Sequence, residues 1–391
     1  MWHIITTAAL IIAVSTFLWS KSVPPVTQTR AAPNFDYFGR FAKIQPILDN
    51  ACTFPILAPT EKVALLGEIE RCPIMNDIYS VIDEQGILTF TKRTLERRVN
   101  DKNQNFTCVY THVVELIDNE NFTVGFGTEI PLEPLVPTFV PNENVLAYCR
   151  DYFGNVINIK SYPNFGGKIA AMEKDAEGYL VDFEEADPMK PSLSILMIHN
   201  ASLNQMVRHL PKTFEFLAAN DFISYSMFNL ASDDVVENAA GILKGAGDRK
   251  DPWLWEYMRD RKCATMLHDD IRTESPFDRN STSSLGTDFH SRLFHQFNQQ
   301  HLVNNKTGNH CLLDGRLAVD DYIDIWSSFS KAIVKNCHFS LAFLSDVTAY
   351  EESFLQVADV KILQGLAEMK EAGVFENTVI ALIADGVEYD G

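Results

Sequence analysis

The sequence predicts an α/β protein in which a mostly parallel sheet with flanking helices follows a small β-rich, disulfide-stapled module. Three observations predict it. Leu193 to Ile198 is an unbroken apolar run, the length of one strand buried on both faces, and it stops at the polar pair His199-Asn200. Downstream of it, strand-like runs alternate with helical ones over connections too long for hairpins, which implies parallel pairing through crossovers. Upstream, residues 35–165 hold short β-rich runs broken by Asn, Gly and Pro, with four of the chain's seven cysteines.

In chain order, Ile4 to Trp19 carries no charge and precedes Lys21 and a Pro-rich segment. Residues 1–22 read as a signal peptide, with Ser20 and Ser22 placed for cleavage, or as an uncleaved anchor, since ~20 apolar residues span a bilayer. The absence of Lys or Arg ahead of the run favours the peptide. Either form sends the chain into the secretory pathway, secreted or membrane-anchored with its bulk lumenal or extracellular. Membrane contact is expected only through this segment, if it is uncleaved. Asn105, Asn121, Asn280 and Asn305 head glycosylation sequons in polar contexts. A fifth, Asn200-Ala-Ser, falls at the strand tip and is expected to be buried and unused.

The cysteines show no CxxC spacing, so a zinc site is not expected, and an oxidising compartment makes them disulfide candidates with one left over. Cys52, Cys72, Cys108 and Cys149 are expected to pair among themselves, because they share the β-rich module. Its strand candidates are Ser80 to Thr91, Cys108 to Leu116, Thr138 to Tyr148 and Val156 to Ile159. Residues 166–190, acidic from Glu173 onward, read as a solvated linker.

Residues 191–391 carry the alternating pattern. The strand candidates are Ser192 to Ile198, Cys263 to Asp270, Phe339 to Asp346 and Asn377 to Asp385. Pro211 opens a helix at the first helical position, where its missing N–H costs nothing. Asp233-Asp234 offers an N-cap for a helix ending at Gly245, and Asp251-Pro252 caps a helix over the Trp-rich segment that follows. Leu313 to Lys335 bears Ile323, Trp326, Phe329, Ala332 and Ile333 on one face. Val357, Val360, Leu363, Leu366 and Met369 stripe a last helix that stops before Gly373.

Ligands of such sheets bind at the carboxyl ends of the strands. Three candidate strands end in acidic residues (Asp269-Asp270, Asp346 and Asp385), and convergent carboxylates can hold a hard divalent cation. Any one of them also serves simply to cap the following helix. His199 adds an imidazole, a good zinc ligand, although a lone His at a strand tip is more often a hydrogen-bonded structural residue. A net charge of −19 argues against nucleic acid as a partner, and the sequence names no other.

Several stretches resemble the DUF229 family, a sulfatase-like branch of the alkaline phosphatase superfamily. They are Arg208 to Leu217, Asn238 to Gly245, Asp251 to Asp270, Gly286 to Phe294 and Gly373 to Gly386, together with the segments around Cys52 and Cys149. The resemblance implies an alkaline-phosphatase/sulfatase-like fold with a two-metal site, in which a Ser or Thr alkoxide attacks a phosphate or sulfate ester. This chain departs from that pattern. The family's Asp-Ser after the first strand is His199-Asn200, and the nucleophile position, counted back from Asn238, is Val235. The later Asn-x-x-x-His-Asp set is Asp346 to Tyr350 followed by Glu351, and the Asp-His-Gly set is Asp385-Gly386. Asp385, Asp346, His199 and Glu351 remain as ligands if a divalent metal site survives, and no cofactor is otherwise expected. Ser232 precedes the helix and is placed wrongly for a nucleophile.

The reading is a catalytically inactive, sulfatase-like secretory protein with a binding or unknown role. The alternative is a metal-dependent phospho- or sulfo-ester hydrolase with a substituted site. The family's domain continues past the last strand candidate here, so Gly391 is expected not to be the end of the working fold.

Overall fold

The computed structural model describes residues 72–75, 78–91, 106–118, 121–133, 136–174, 183–225, 232, 234–244, 251–270, 277, 286–303, 311–348 and 352–384. The leader, Cys52, Asn105, Asn280, Asn305, Glu351 and Asp385 lie outside them.

The β-rich module forms two antiparallel sheets. Strands β1 (Ser80–Ile82), β2 (Ile87–Phe90) and β6 (Thr138–Phe139) make the smaller one. In the larger, β3 (Thr107–Asp118) lies between β4 (Asn121–Phe126) and β7 (Asn144–Arg150), and β7 pairs with β8 (Val156–Pro163). The short β5 (Ile130–Leu132) adds to β3. The run Thr138 to Tyr148 is therefore two strands in two sheets. Pro141 explains the break, because it has no N–H to give a ladder. Leu88, Val140, Val145, Ala147 and Tyr162 fill the space between the sheets.

The helix α1 (Phe165–Lys174) occupies the start of what the sequence presents as a solvated linker. Phe165 packs edge-on against Phe289 and Phe329, which explains why this segment is not solvated. Past the undescribed residues 175–182, Glu184 N–H donates to Lys262 C=O (2.9 Å), and Glu184 C=O accepts from Cys337 N–H (2.7 Å). Both ends of the acidic segment are thus held by the second region.

That region is a five-stranded parallel sheet in the order β11-β10-β12-β9-β13. Its strands are β9 (Ser192–Ile198), β10 (Ala264–Asp269), β11 (Phe289–His290), β12 (His338–Leu344) and β13 (Thr378–Ala384). Side chains alternate faces along a strand, and the central strands show it. Leu196, Ile198, Ala342 and Leu344 enter one core layer, while Ile195, Met197, Phe339, Leu341 and Phe343 enter the other.

On the first face lie α2 (Leu203–His209), α3 (Pro211–Ala219), α7 (Ala318–Ala332) and α8 (Asp359–Glu371), through Met206, Leu217, Ile323, Trp326, Ile362 and Leu366. On the second lie α4 (Val235–Leu243) and α5 (Leu254–Asp260), through Ala239, Leu243, Trp255 and Met258. A further helix, α6 (Arg292–Phe297), follows β11. Both faces of a parallel sheet must be covered in this way because its strands are apolar on both sides. The N-cap of α5 is Trp253 rather than Asp251, with Trp253 N–H donating to Glu256 Oε2 (2.7 Å).

Three disulfides are formed: Cys72–Cys311, Cys108–Cys149 and Cys263–Cys337. Cys108 and Cys149 face each other in the β3–β7 register, as expected of partners within the module. Cys72 departs from the expectation by pairing outside it. The reason is local, since residues 72–75 run beside the turn after Cys311 and Met75 N–H donates to Leu313 C=O (2.8 Å). A bridge across 239 residues ties the β module to the α/β region. Two polar joints do the same. Lys168 Nζ reaches Glu143 Oε2 (2.7 Å) while Glu143 Oε1 accepts from His290 N–H (2.7 Å), and Ser161 hydrogen-bonds Asn298.

Candidate functional site at the carboxyl edge of the parallel sheet

β9, β10 and β12 each deliver a chemically active residue just past their carboxyl ends. After β12, Ser345 and Asp346 enter a turn. Asp270, one residue past β10, is fully buried beneath that turn. Its Oδ1 accepts from Ser345 N–H (2.6 Å) and the Ser345 hydroxyl (2.7 Å), and its Oδ2 accepts from Asp346 N–H (3.1 Å). Burial, reinforced by the charge of Asp346, pushes the Asp270 carboxyl up to about 7 despite these donors.

Asp346 Oδ2 accepts from Gln299 Nε2 (3.1 Å), and the same nitrogen lies 3.3 Å from the Tyr322 hydroxyl. Gln299 sits on a π-helical turn, Asn298–Leu302, that extends α6. Burial raises the Tyr322 phenol well above its ordinary value, so it stays protonated. Asp270, Tyr322, Asp346, Val347 and Phe354 line a cavity of about 20 Å³. That is room for a water.

The β9 tip differs. His199 is half-buried, with its N–H on Leu344 C=O (2.8 Å), its C=O on the Thr348 hydroxyl (2.6 Å) and its ring 5.7 Å from that of Phe343. Asn200 follows in the left-handed conformation (φ 51°) with an exposed side chain. This corrects the expectation that the Asn200 sequon is buried. The αL residue turns the chain, and Ser202 then starts α2 with a capping box, accepting from Gln205 N–H (3.1 Å).

Val235 is the first residue of α4. It is half-buried and packs on the core layer that contains Ile195 and Met197. Ser232 is held by Asn238, whose Oδ1 accepts from Ser232 N–H (2.9 Å) and whose Nδ2 donates to Ser232 C=O (2.6 Å). The Ser232 hydroxyl accepts from Asp234 N–H (3.1 Å), a local turn bond.

The described residues alone do not assemble a site for a divalent cation. Among the described residues no group of three or more His, Cys, Asp or Glu side chains is arranged to hold one. Asp270 already satisfies three donors, and one Asp346 oxygen takes Gln299. Of the expected ligands, Asp346 and His199 are both at this edge, while Asp385 and Glu351 fall outside the described residues. Asp270 belongs to the acidic strand ends visible in the sequence. Gln299, Tyr322 and Ser345 do not, because nothing in their local sequence marks them; only packing brings them to the aspartates.

A second polar group lies deeper. His268 Nδ1 is 2.9 Å from the Ser291 hydroxyl, and both residues are fully buried. Burial, with His290 nearby, lowers the His268 imidazole to about 3, so it is neutral. A Ser–His pair can act as nucleophile and base only where substrate reaches it, and this one is sealed.

The fold and this edge define a disulfide-stabilised mixed α/β protein with a parallel sheet. Residues 70–389 match DUF229, a family of proteins of unknown function, and the chain belongs to that family. No curated protein matches it. The disulfides point to an oxidising secretory or extracellular setting. Among the described residues no helix is long and apolar enough to cross a membrane.

Proposed function

We propose that this DUF229 chain is a sulfatase-like protein of the secretory pathway that binds without catalysing. The observation that carries the reading is Val235. At the helix N-terminus where the resemblance places the attacking hydroxyl, an aliphatic side chain packs into the core instead. Valine has no lone pair to attack an ester and no proton to give up. The commitment of Asp270 to the Ser345–Asp346 turn supports the same conclusion.

The experiment is turnover of aryl phosphate and aryl sulfate by the purified chain with Zn²⁺, Mg²⁺, Mn²⁺ or Ca²⁺. Rates equal to those of a mock preparation are expected. Turnover clearly above mock, and abolished by Asp385→Ala, would overturn the reading in favour of a metal-dependent ester hydrolase. One observation favours that second class: two carboxylates, Asp270 and Asp346, border one small cavity.

A further inference from the structure

We infer that Asn200 is an N-glycosylation site, and that its glycan stands over the carboxyl edge of the parallel sheet. The inference rests on the secretory-pathway reading. Asn200-Ala201-Ser202 satisfies the acceptor pattern, with no proline at the middle position. A strand-tip asparagine in a parallel sheet would ordinarily face inward, and this one does not. It takes a positive φ of 51° and is exposed at the start of the β9–α2 turn. The middle residue, Ala201, is fully buried but small, so the chain can tuck inward there while Asn200 points out.

Transfer makes one bond and breaks one. Asn200 Nδ2 attacks the anomeric carbon of a lipid-linked pyrophosphoryl oligosaccharide, forming the N–C bond. The C–O bond to pyrophosphate breaks, the lipid pyrophosphate leaves, and the amide loses one proton. The Ser202 hydroxyl is free to assist while the chain is unfolded. After folding it accepts from Gln205 N–H in the capping box, so modification and the helix cap do not compete.

The consequence is steric. His199 is adjacent in sequence, its carbonyl is bonded to Thr348, and Thr348 lies in the turn that also holds Asp346. A hydrated glycan on Asn200 would crowd approach to the half-buried His199 ring from solvent.

The test is peptide mapping of the full chain secreted from animal cells, with and without enzymatic release of N-glycans. The Asn200 peptide is expected to appear only after release, with Asn200 converted to Asp. Asn200→Gln should remove one glycan's mass from the intact protein, and Ser202→Thr, which keeps acceptor and cap, should retain it. An unmodified Asn200 peptide in wild type, alongside glycans at Asn105, Asn121, Asn280 or Asn305, would overturn the inference alone. Absence of glycans from all five sequons would overturn it together with the secretory reading.

Discussion

Two neighbouring corners of one sheet edge have opposite characters. At the β10–β12 corner, Asp270 is sealed beneath the turn it organises and Asp346 is held by Gln299. At the β9 tip, His199 is half-buried and Asn200 faces solvent. Both corners sit where α/β sheets bind ligands, yet Asp270 is spent on holding a turn, while Asp346 and His199 are each half-buried and Asn200 is exposed. An acidic residue at a strand end is thus no guide to function until the donors it accepts from have been counted.

The sharpest way to break the contrast is to remove the sealed carboxylate. Asp270→Ala leaves the Ser345 and Asp346 N–H groups and the Ser345 hydroxyl without their acceptor, and should cost about 3–4 kcal/mol of stability in urea unfolding. A loss similar to that at the β9 tip would erase the distinction between the corners.

The next effect is in pH. The folded Asp270 carboxyl is raised to about 7 from an ordinary value of 3.8, so between those values the folded state holds a proton that the unfolded state has released. Its contribution is complete below about pH 4 and is lost as pH rises towards 7. Asp270→Asn imitates the protonated form at every pH. The wild type should therefore lose about 3 kcal/mol relative to Asp270→Asn between pH 4 and 7, an order-of-magnitude figure. Buried, neutral His268 and His338 act in the opposite direction, losing stability as pH falls below 6.5, but they are common to both proteins and cancel in the difference. A flat difference would show that Asp270 titrates normally.

Smaller effects sharpen the other side. Val235→Thr places a hydroxyl at a half-buried core position and should cost about 1 kcal/mol without creating turnover of aryl esters. His199→Ala removes a half-buried ring beside Phe343 and should cost about 1 kcal/mol by the same unfolding assay. Acquired turnover in the first, or a large loss in the second, would contradict the roles assigned here.

The sequence exposes the sheet well. The strands at Ser192, Ala264, His338 and Thr378 match the expected runs to within one residue at their starts, because a strand buried on both faces is mostly apolar. Helix α2 was not foreseen, although Ser202 and Gln205 carry the S-x-x-Q spacing of a capping box, because its seven residues are too few to show a helical stripe. The Cys72–Cys311 bridge was not, since spacing does not fix connectivity. Nor was the Asp270 knot. Its donors come from residues 75 and 76 positions away, and Gln299 reaches Asp346 across 47. Asn200 misled because the strand ends two residues before it, and a left-handed turn obeys no period.

If folding has committed the carboxylates of this edge, the protein should hold no stoichiometric divalent cation there. The direct measurement is zinc, magnesium and calcium content of the purified full chain after equilibrium dialysis against each ion, beside Asp346→Ala and His199→Ala. Metal well below one equivalent, unchanged in either variant, is the predicted result. One or more equivalents in the wild type, lost in Asp346→Ala, would contradict it and return the edge to metal chemistry.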